Sequence, residues 1–163
     1  MWWPVHERPR GDKYVVCQTA HVPAPSEAVY AVLANYVDGH PRILPKRFSN
    51  LVVEEGGIGA GTVIRFQMQA LGQRRELRAA VSEPEPGRVL EERSLEADGA
   101  VTTFTVHPID RGATAQVVIA TALTRKAGPL AALERAMTSA VLRSTYRQEL
   151  SLLKTHVESR LRT

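Results

Sequence analysis

Cysteine is nearly absent from this sequence, and the single Cys17 cannot close an internal disulfide. No apolar run approaches the ~20 residues that span a bilayer, which excludes stable membrane insertion through a helix. The charged, apolar and small-residue succession of a signal peptide is also missing, so a cytoplasmic protein is the expectation. Aromatic residues are few, and no aromatic-basic stripe forms. The net charge of +4 comes from 21 basic residues interspersed with 17 acidic ones, and no nucleic-acid partner is expected. Ser49, Ser82, Ser94, Ser139 and Ser144 lack a Gly-x-Ser-x-Gly elbow, so no serine nucleophile is indicated. His6, His21, His40, His107 and His156 have neither i, i+4 pairing nor cysteine partners, which leaves no metal site and no cofactor to expect.

What is present is enough apolar material for one core. With 163 residues and 44% hydrophobic content, a single domain over 13–163 can bury roughly two thirds of its unfolded surface. Residues 1–12, with Trp2, Trp3, Pro4, Pro9 and Gly11, read as an N-terminal arm. Its tryptophans should dock on the domain, on a second copy in a homodimer, or on a membrane interface. A strand is predicted over Lys13 to Val22. A helix capped by Ser26 follows and carries Val29, Val32, Leu33 and Tyr36 until Gly39 and Pro41 stop it, and a second short helix is predicted around Arg42 to Lys46.

Six further strands follow at about Asn50 to Glu55, Thr62 to Leu71, Arg74 to Ser82, Arg88 to Leu95, Val101 to Pro108 and Ala113 to Thr124. Their short connections leave no room for crossover helices, so the sheet must be antiparallel. The glycine run from Gly56 to Gly61 serves a sharp turn. A phosphate loop would open a helix, whereas here a β-branched strand follows at Thr62. Alternation places Ile64, Phe66 and Met68 on one face, as it does Leu77, Ala79 and Val81, then Phe104 and Val106, then Val117 and Ile119. The sheet therefore has one apolar and one polar face. In the fifth strand either parity turns a carboxylate inward, and Glu92 shares the parity of Leu90.

The chain closes with an amphipathic helix from about Gly128 to Arg160, on the order of 50 Å long. Leu130, Leu133, Met137 and Val141 lie on one side of it, and Leu142, Tyr146, Leu150, Leu153 and Val157 nearly opposite. Either the helix kinks near Leu142 to Ser144, or its halves pack on different partners. Leu133 to Val141 is expected to face a cavity and Tyr146 to Val157 to anchor elsewhere.

The stretches Val22-Pro23-Ala24-Pro25-Ser26-Glu27-Ala28-Val29-Tyr30-Ala31-Val32-Leu33, Gly56 to Arg65, Thr102 to Val106 and Leu150 to Glu158, in this order of elements, resemble the START-like superfamily, also called SRPBCC. The resemblance implies an α+β helix-grip fold: a seven-stranded antiparallel sheet curved around a long C-terminal helix, with two short helices after the first strand. It also implies an apolar cavity between sheet and helix for a lipid, polyketide or quinone-like ligand. Where members often carry Asp and Trp after the first helix, this chain has Asn35, Tyr36 and His40.

The expected cavity walls are Ile64, Phe66, Met68, Leu77, Val81, Phe104 and Val117 from the sheet and Leu133 and Met137 from the helix, with polar contacts near Tyr36, His40 and Tyr146. The resemblance puts His40 at the edge of the cavity mouth, although a surface turn histidine is the simpler reading. Binding or transport of a small hydrophobic ligand is the leading expectation. A polyketide cyclase or aromatase is the alternative, favoured if Glu92 or Tyr146 faces inward. A protein-interaction module using Trp2, Trp3 and the second helix is the third.

Overall fold

The computed structural model describes residues 12–163, so the expected arm, apart from Asp12, lies outside the described residues. The elements run β1 (Lys13–Val22), α1 (Ser26–Ala34), a 3-10 turn (His40–Arg42), β2 (Phe48–Glu55), β3 (Val63–Ala70), β4 (Gln73–Glu85), β5 (Val89–Ser94), β6 (Val101–Ile109), β7 (Thr114–Thr124) and α2 (Ala131–Leu161). The seven strands form one sheet in the order β1-β7-β6-β5-β4-β3-β2, antiparallel throughout. It is a hairpin meander to which β1 is added beside β7. β1 packs on α2, and α1 packs on β6 and β7.

Register explains why the apolar face is continuous. Ile64 lies opposite Ala79 and Phe66 opposite Leu77, while Phe104 sits between Leu90 and Ile119. Along β3 and β4 the other parity carries charge, where Arg65 and Arg78 both donate to Glu54. That pattern is the half-solvated sheet read from the alternation.

The helical segments before β2 depart from expectation in three places. α1 stops at Ala34 instead of reaching Tyr36. Asn35 turns to an extended backbone, and its side-chain oxygen accepts the Val37 and Asp38 amides, each at 3.0 Å, which offers the chain a turn in place of another helical step. The second helix is only the 3-10 turn at His40–Arg42. Ser26 begins the helix rather than capping it; Pro25 occupies the cap position.

α2 begins at Ala131 because Gly128, with φ of 115°, is used in the preceding turn. It then runs as one helix, and its halves exchange the roles expected of them. The buried stripe is Leu142, Thr145, Tyr146, Glu149, Leu150, Leu153 and Val157, whereas Leu133 is 59% and Met137 43% exposed. At 100° per residue the two stripes lie on opposite sides of the helix, and the sheet receives the second.

Glu83 ties α1 to the glycine turn between β2 and β3. Its Oε1 accepts the Tyr30 hydroxyl at 2.7 Å and its Oε2 accepts the Ala60 amide at 2.8 Å. Glu83→Ala should therefore lower stability by about 1–3 kcal/mol, since charge-assisted bonds are lost and the Tyr30 hydroxyl loses its carboxylate acceptor. Urea denaturation measures this, and an unchanged midpoint would show that the tie contributes nothing.

Candidate functional site

Between the concave sheet face and α2 lies a cavity of about 330 Å³, within the ~300–1,000 Å³ range of small-ligand sites. Its wall includes eight of the residues expected from sequence: His40, Ile64, Phe66, Met68, Leu77, Glu92, Phe104 and Tyr146. Tyr36 lies behind the wall, buried, with its hydroxyl on Glu92. Four expected residues are elsewhere. Val81 and Val117 are consumed in the core shared with α1, and Leu133 and Met137 face outward on the exposed side of α2.

The wall is mostly apolar, but one part of it is built from ionisable side chains. α1, the Asn35 turn and the 3-10 turn position His40. The turn folds back on α1 so that the Gly39 and His40 amides both donate to the Asn35 carbonyl, at 3.0 and 2.6 Å. The His40 ring then stacks on Tyr36 with centroids 4.5 Å apart and meets the Phe104 ring edge-on at 5.5 Å. Far from being a surface turn residue, His40 is 3% exposed.

The imidazole orientation follows from its one short hydrogen bond. Nδ1 lies 2.8 Å from the Leu33 carbonyl, which can only accept, so Nδ1 carries a proton and Nε2 is the nitrogen that offers a lone pair in the neutral tautomer. Nε2 faces two carboxyl groups, Glu92 Oε1 at 3.7 Å and Glu149 Oε1 at 3.8 Å. Both distances exceed a direct hydrogen bond. Glu92, on β5, is held by the Tyr36 hydroxyl at 2.6 Å.

Glu149 is the residue that sequence reading missed. It projects from the buried stripe of α2, is 3% exposed, and has no hydrogen-bond partner among the described residues. Burial, and then the charge of Glu92, pushes its carboxyl well above the ordinary 4.5. The available signal was spacing: Glu149 is three residues from Tyr146, four from Leu153 and seven from Leu142, and so lies on the apolar stripe. Burial, with the Glu92 charge second, also raises the Tyr36 hydroxyl, keeping it a donor.

On another part of the wall, Tyr146 meets the sheet through hydroxyls. Thr121 Oγ1 hydrogen-bonds the Tyr146 hydroxyl and lies 2.7 Å from Thr102 Oγ1. Leu44 of the loop before β2, Phe48 and Leu51 of β2, and Thr138 and Leu142 of α2, also unanticipated, line the wall as well. No group of three or more His, Cys, Asp or Glu side chains with metal-holding geometry occurs among the described residues, and no helix is long and apolar enough to cross a membrane.

Comparison with known proteins places this geometry in context. Residues 14–158 match the family model described as polyketide cyclase / dehydrase and lipid transport. None of the curated proteins matches the chain. Among solved structures, the chain is similar to the KanY protein, at 28% identity over 90% of this chain and 98% of that one, with a TM-score of 0.77. It is also similar to the Zhui aromatase/cyclase from Streptomyces sp. R1128, at 26% identity over 91% and 96% of the two chains, with a TM-score of 0.75. A protein from Thermus thermophilus shares the fold at 21% identity, covering 90% of this chain and 99% of its own, with a TM-score of 0.75.

Proposed function

We propose that this chain, which belongs to the polyketide cyclase / dehydrase and lipid transport family, folds an apolar, carbonyl-bearing chain in its cavity and cyclises and dehydrates it by acid-base catalysis. The observation that carries this reading is the convergence of two carboxyl groups, Glu92 at 3.7 Å and the deeply buried Glu149 at 3.8 Å, on the Nε2 atom of His40. A carrier has no need of an acid buried at 3% exposure beside an imidazole. A catalyst does, since burial raises a carboxyl towards the range in which it can give and take protons. Likeness to an aromatase/cyclase at 26% identity supports the same assignment.

The chemistry follows from the atoms available. A carbon flanked by two carbonyls gives its proton to His40 Nε2, and the C–H electrons become an enolate. The negative charge of Glu92 stabilises the imidazolium, whose Nδ1 stays fixed on the Leu33 carbonyl. The enolate carbon attacks a second carbonyl of the same chain, a C–C bond forms, and the new alkoxide takes its proton from Glu149. The imidazolium proton then returns to Glu149, whose oxygen lies 3.8 Å from the same nitrogen. For dehydration, Nε2 removes a second α-proton while Glu149 protonates the hydroxyl, which departs as water. The apolar wall of Ile64, Phe66, Met68, Leu77 and Phe104 keeps the chain folded and solvent away from the enolate.

The same apolar wall favours a second reading, carriage of the ligand without turnover. An N-acetylcysteamine thioester of a poly-β-keto acid separates the two. Cyclised and dehydrated product should appear faster with the protein than in buffer, and His40→Ala should slow it by roughly 10²–10⁴-fold with little change in the dissociation constant. Binding with no acceleration over buffer would leave only the carrier reading.

A further inference from the structure

α2 is apolar on both sides, and the sheet covers only one of them. The helix has no buried residue before Leu142, and its first three turns carry Leu133 and Met137 at 59% and 43% exposure, in line with Leu130 at 65% just before them. These residues are spaced by three and four, so they form one stripe about 10 Å long on the side turned away from the sheet. Aligned in this way, large apolar side chains mark an interaction surface.

The segment placed to cover the stripe is the chain's own beginning. Residues 1–11 lie outside the described residues, and the described chain starts at Asp12, whose carbonyl accepts the Arg125 amide. Arg125 precedes Leu130 by five residues, at most about 18 Å of chain. A hollow of about 50 Å³ joins the two regions, lined by Tyr14 of β1, by Arg125, and by Ala131, Glu134 and Thr138 of α2. Trp3 stands nine residues before Asp12, a span of up to about 30 Å, so the whole stripe is within its reach. A docked tryptophan buries ~150–250 Å², a footprint on the scale of three half-exposed side chains. The same side chains fall far short of the ~1,200 Å² that a stable interface between two copies buries. Attachment beside Arg125 also holds the arm at an effective concentration on the order of millimolar, which favours it over any second molecule.

We propose that residues 1–11 fold back along the first three turns of α2, where Trp2 and Trp3 cover Leu130, Leu133 and Met137. Thr138 lines both the hollow and the ligand cavity, so the seat of the arm adjoins the cavity wall. The contact is intramolecular, and it stabilises the half of α2 that the sheet leaves uncovered.

Tryptophan emission reads this contact directly, because Trp2 and Trp3 are the only tryptophans in the chain. In the native full-length chain the emission maximum should lie to the blue of the urea-unfolded chain, with acrylamide quenching several-fold weaker. The double variant Leu133→Gln, Met137→Gln keeps good helix formers at exposed positions and should move the emission to that of the unfolded chain. Leu161→Gln, at the far end of α2 and also exposed, should leave the spectrum unchanged. Native emission as red and as quenchable as in the unfolded chain would overturn the proposal. So would an unaltered spectrum in the double variant, or an equal change in Leu161→Gln. If the double variant does not fold, a nitroxide on Ala140→Cys in a Cys17→Ser background decides. It should quench the tryptophans, and unquenched emission refutes the contact. The native spectrum should also survive hundredfold dilution and be the same with or without anionic vesicles. A blue shift lost on dilution would assign the arm to a second copy, and one seen only with vesicles would assign it to a membrane; either overturns the intramolecular seat. None of these readings requires turnover, so they stand or fall independently of the catalytic reading.

Discussion

Glu149→Gln is expected to abolish turnover and at the same time make the protein more stable at neutral pH. Loss of the proton donor removes general acid catalysis, roughly 10²–10⁴-fold in rate. The stability gain has a definite sign. In the unfolded chain Glu149 ionises near 4.5, whereas in the fold burial and the Glu92 charge hold its pKa well above that. Between those two values the folded state binds the extra proton, so stability falls as pH rises through the window and the deficit persists above it. Below the unfolded value both states are protonated and the group contributes no loss. Gln is neutral at every pH, so the substitution should remove this slope and add about 0.5–2 kcal/mol near neutrality, as removal of functionally strained groups commonly does. Melting temperatures measured from about pH 4 upward, beside turnover assays, provide the check. A variant that keeps full activity, or keeps the wild-type pH slope, would remove Glu149 from the acid role.

Gly39→Ala should destabilise the chain through steric overlap alone. Gly39 has an ordinary φ of −92°, so its requirement is space. An added Cβ would lie 2.5 Å from the Val32 carbonyl oxygen and 3.0 Å from the Val32 Cα. These are backbone atoms of α1, which cannot withdraw without disturbing the helix, and overpacking of this kind costs about 1–3 kcal/mol. The functional effect should be larger still. Displacing residue 39 moves His40 off the Leu33 carbonyl and out of its stack with Tyr36, which misdirects Nε2. Gly72→Ala is the control: its Cβ meets nothing, and only the positive φ of 74° opposes it, at about 1–2 kcal/mol. Urea denaturation together with the turnover assay should show both variants weakened but only Gly39→Ala inactive below its melting point. Wild-type activity in Gly39→Ala would mean that the turn does not position the base.

Much of the scaffold was legible because strands and turns are written in nearest neighbours. The alternation of Ile64, Phe66 and Met68, the turn glycines, and gaps too short for crossovers led directly to an antiparallel, one-sided sheet, and register then confirmed the facing pairs. The parity of Glu92 with Leu90 also marked an inward carboxylate, which the structure places on the cavity wall. Local signals served less well where a side chain competes with the backbone. Asn35 ended α1 early by capturing two amides, and the residues around it still had helical spacing.

The sequence by itself determined which residues could share a face, since periods of 2.0 and 3.6 are properties of the local backbone. It could not choose between the two apolar stripes of α2, because periodicity records that a face is apolar and not what meets it. Tertiary packing chose the stripe of Leu142, Tyr146 and Leu153, and Glu149 was carried inside with it. That choice left Leu133 and Met137 in solvent and made a buried acid of a residue that, read alone, is a helix-surface glutamate. It also brought Glu149 to face His40 and Glu92, three residues from distant elements whose shared environment, and therefore whose chemistry, exists only once the helix is seated on the sheet.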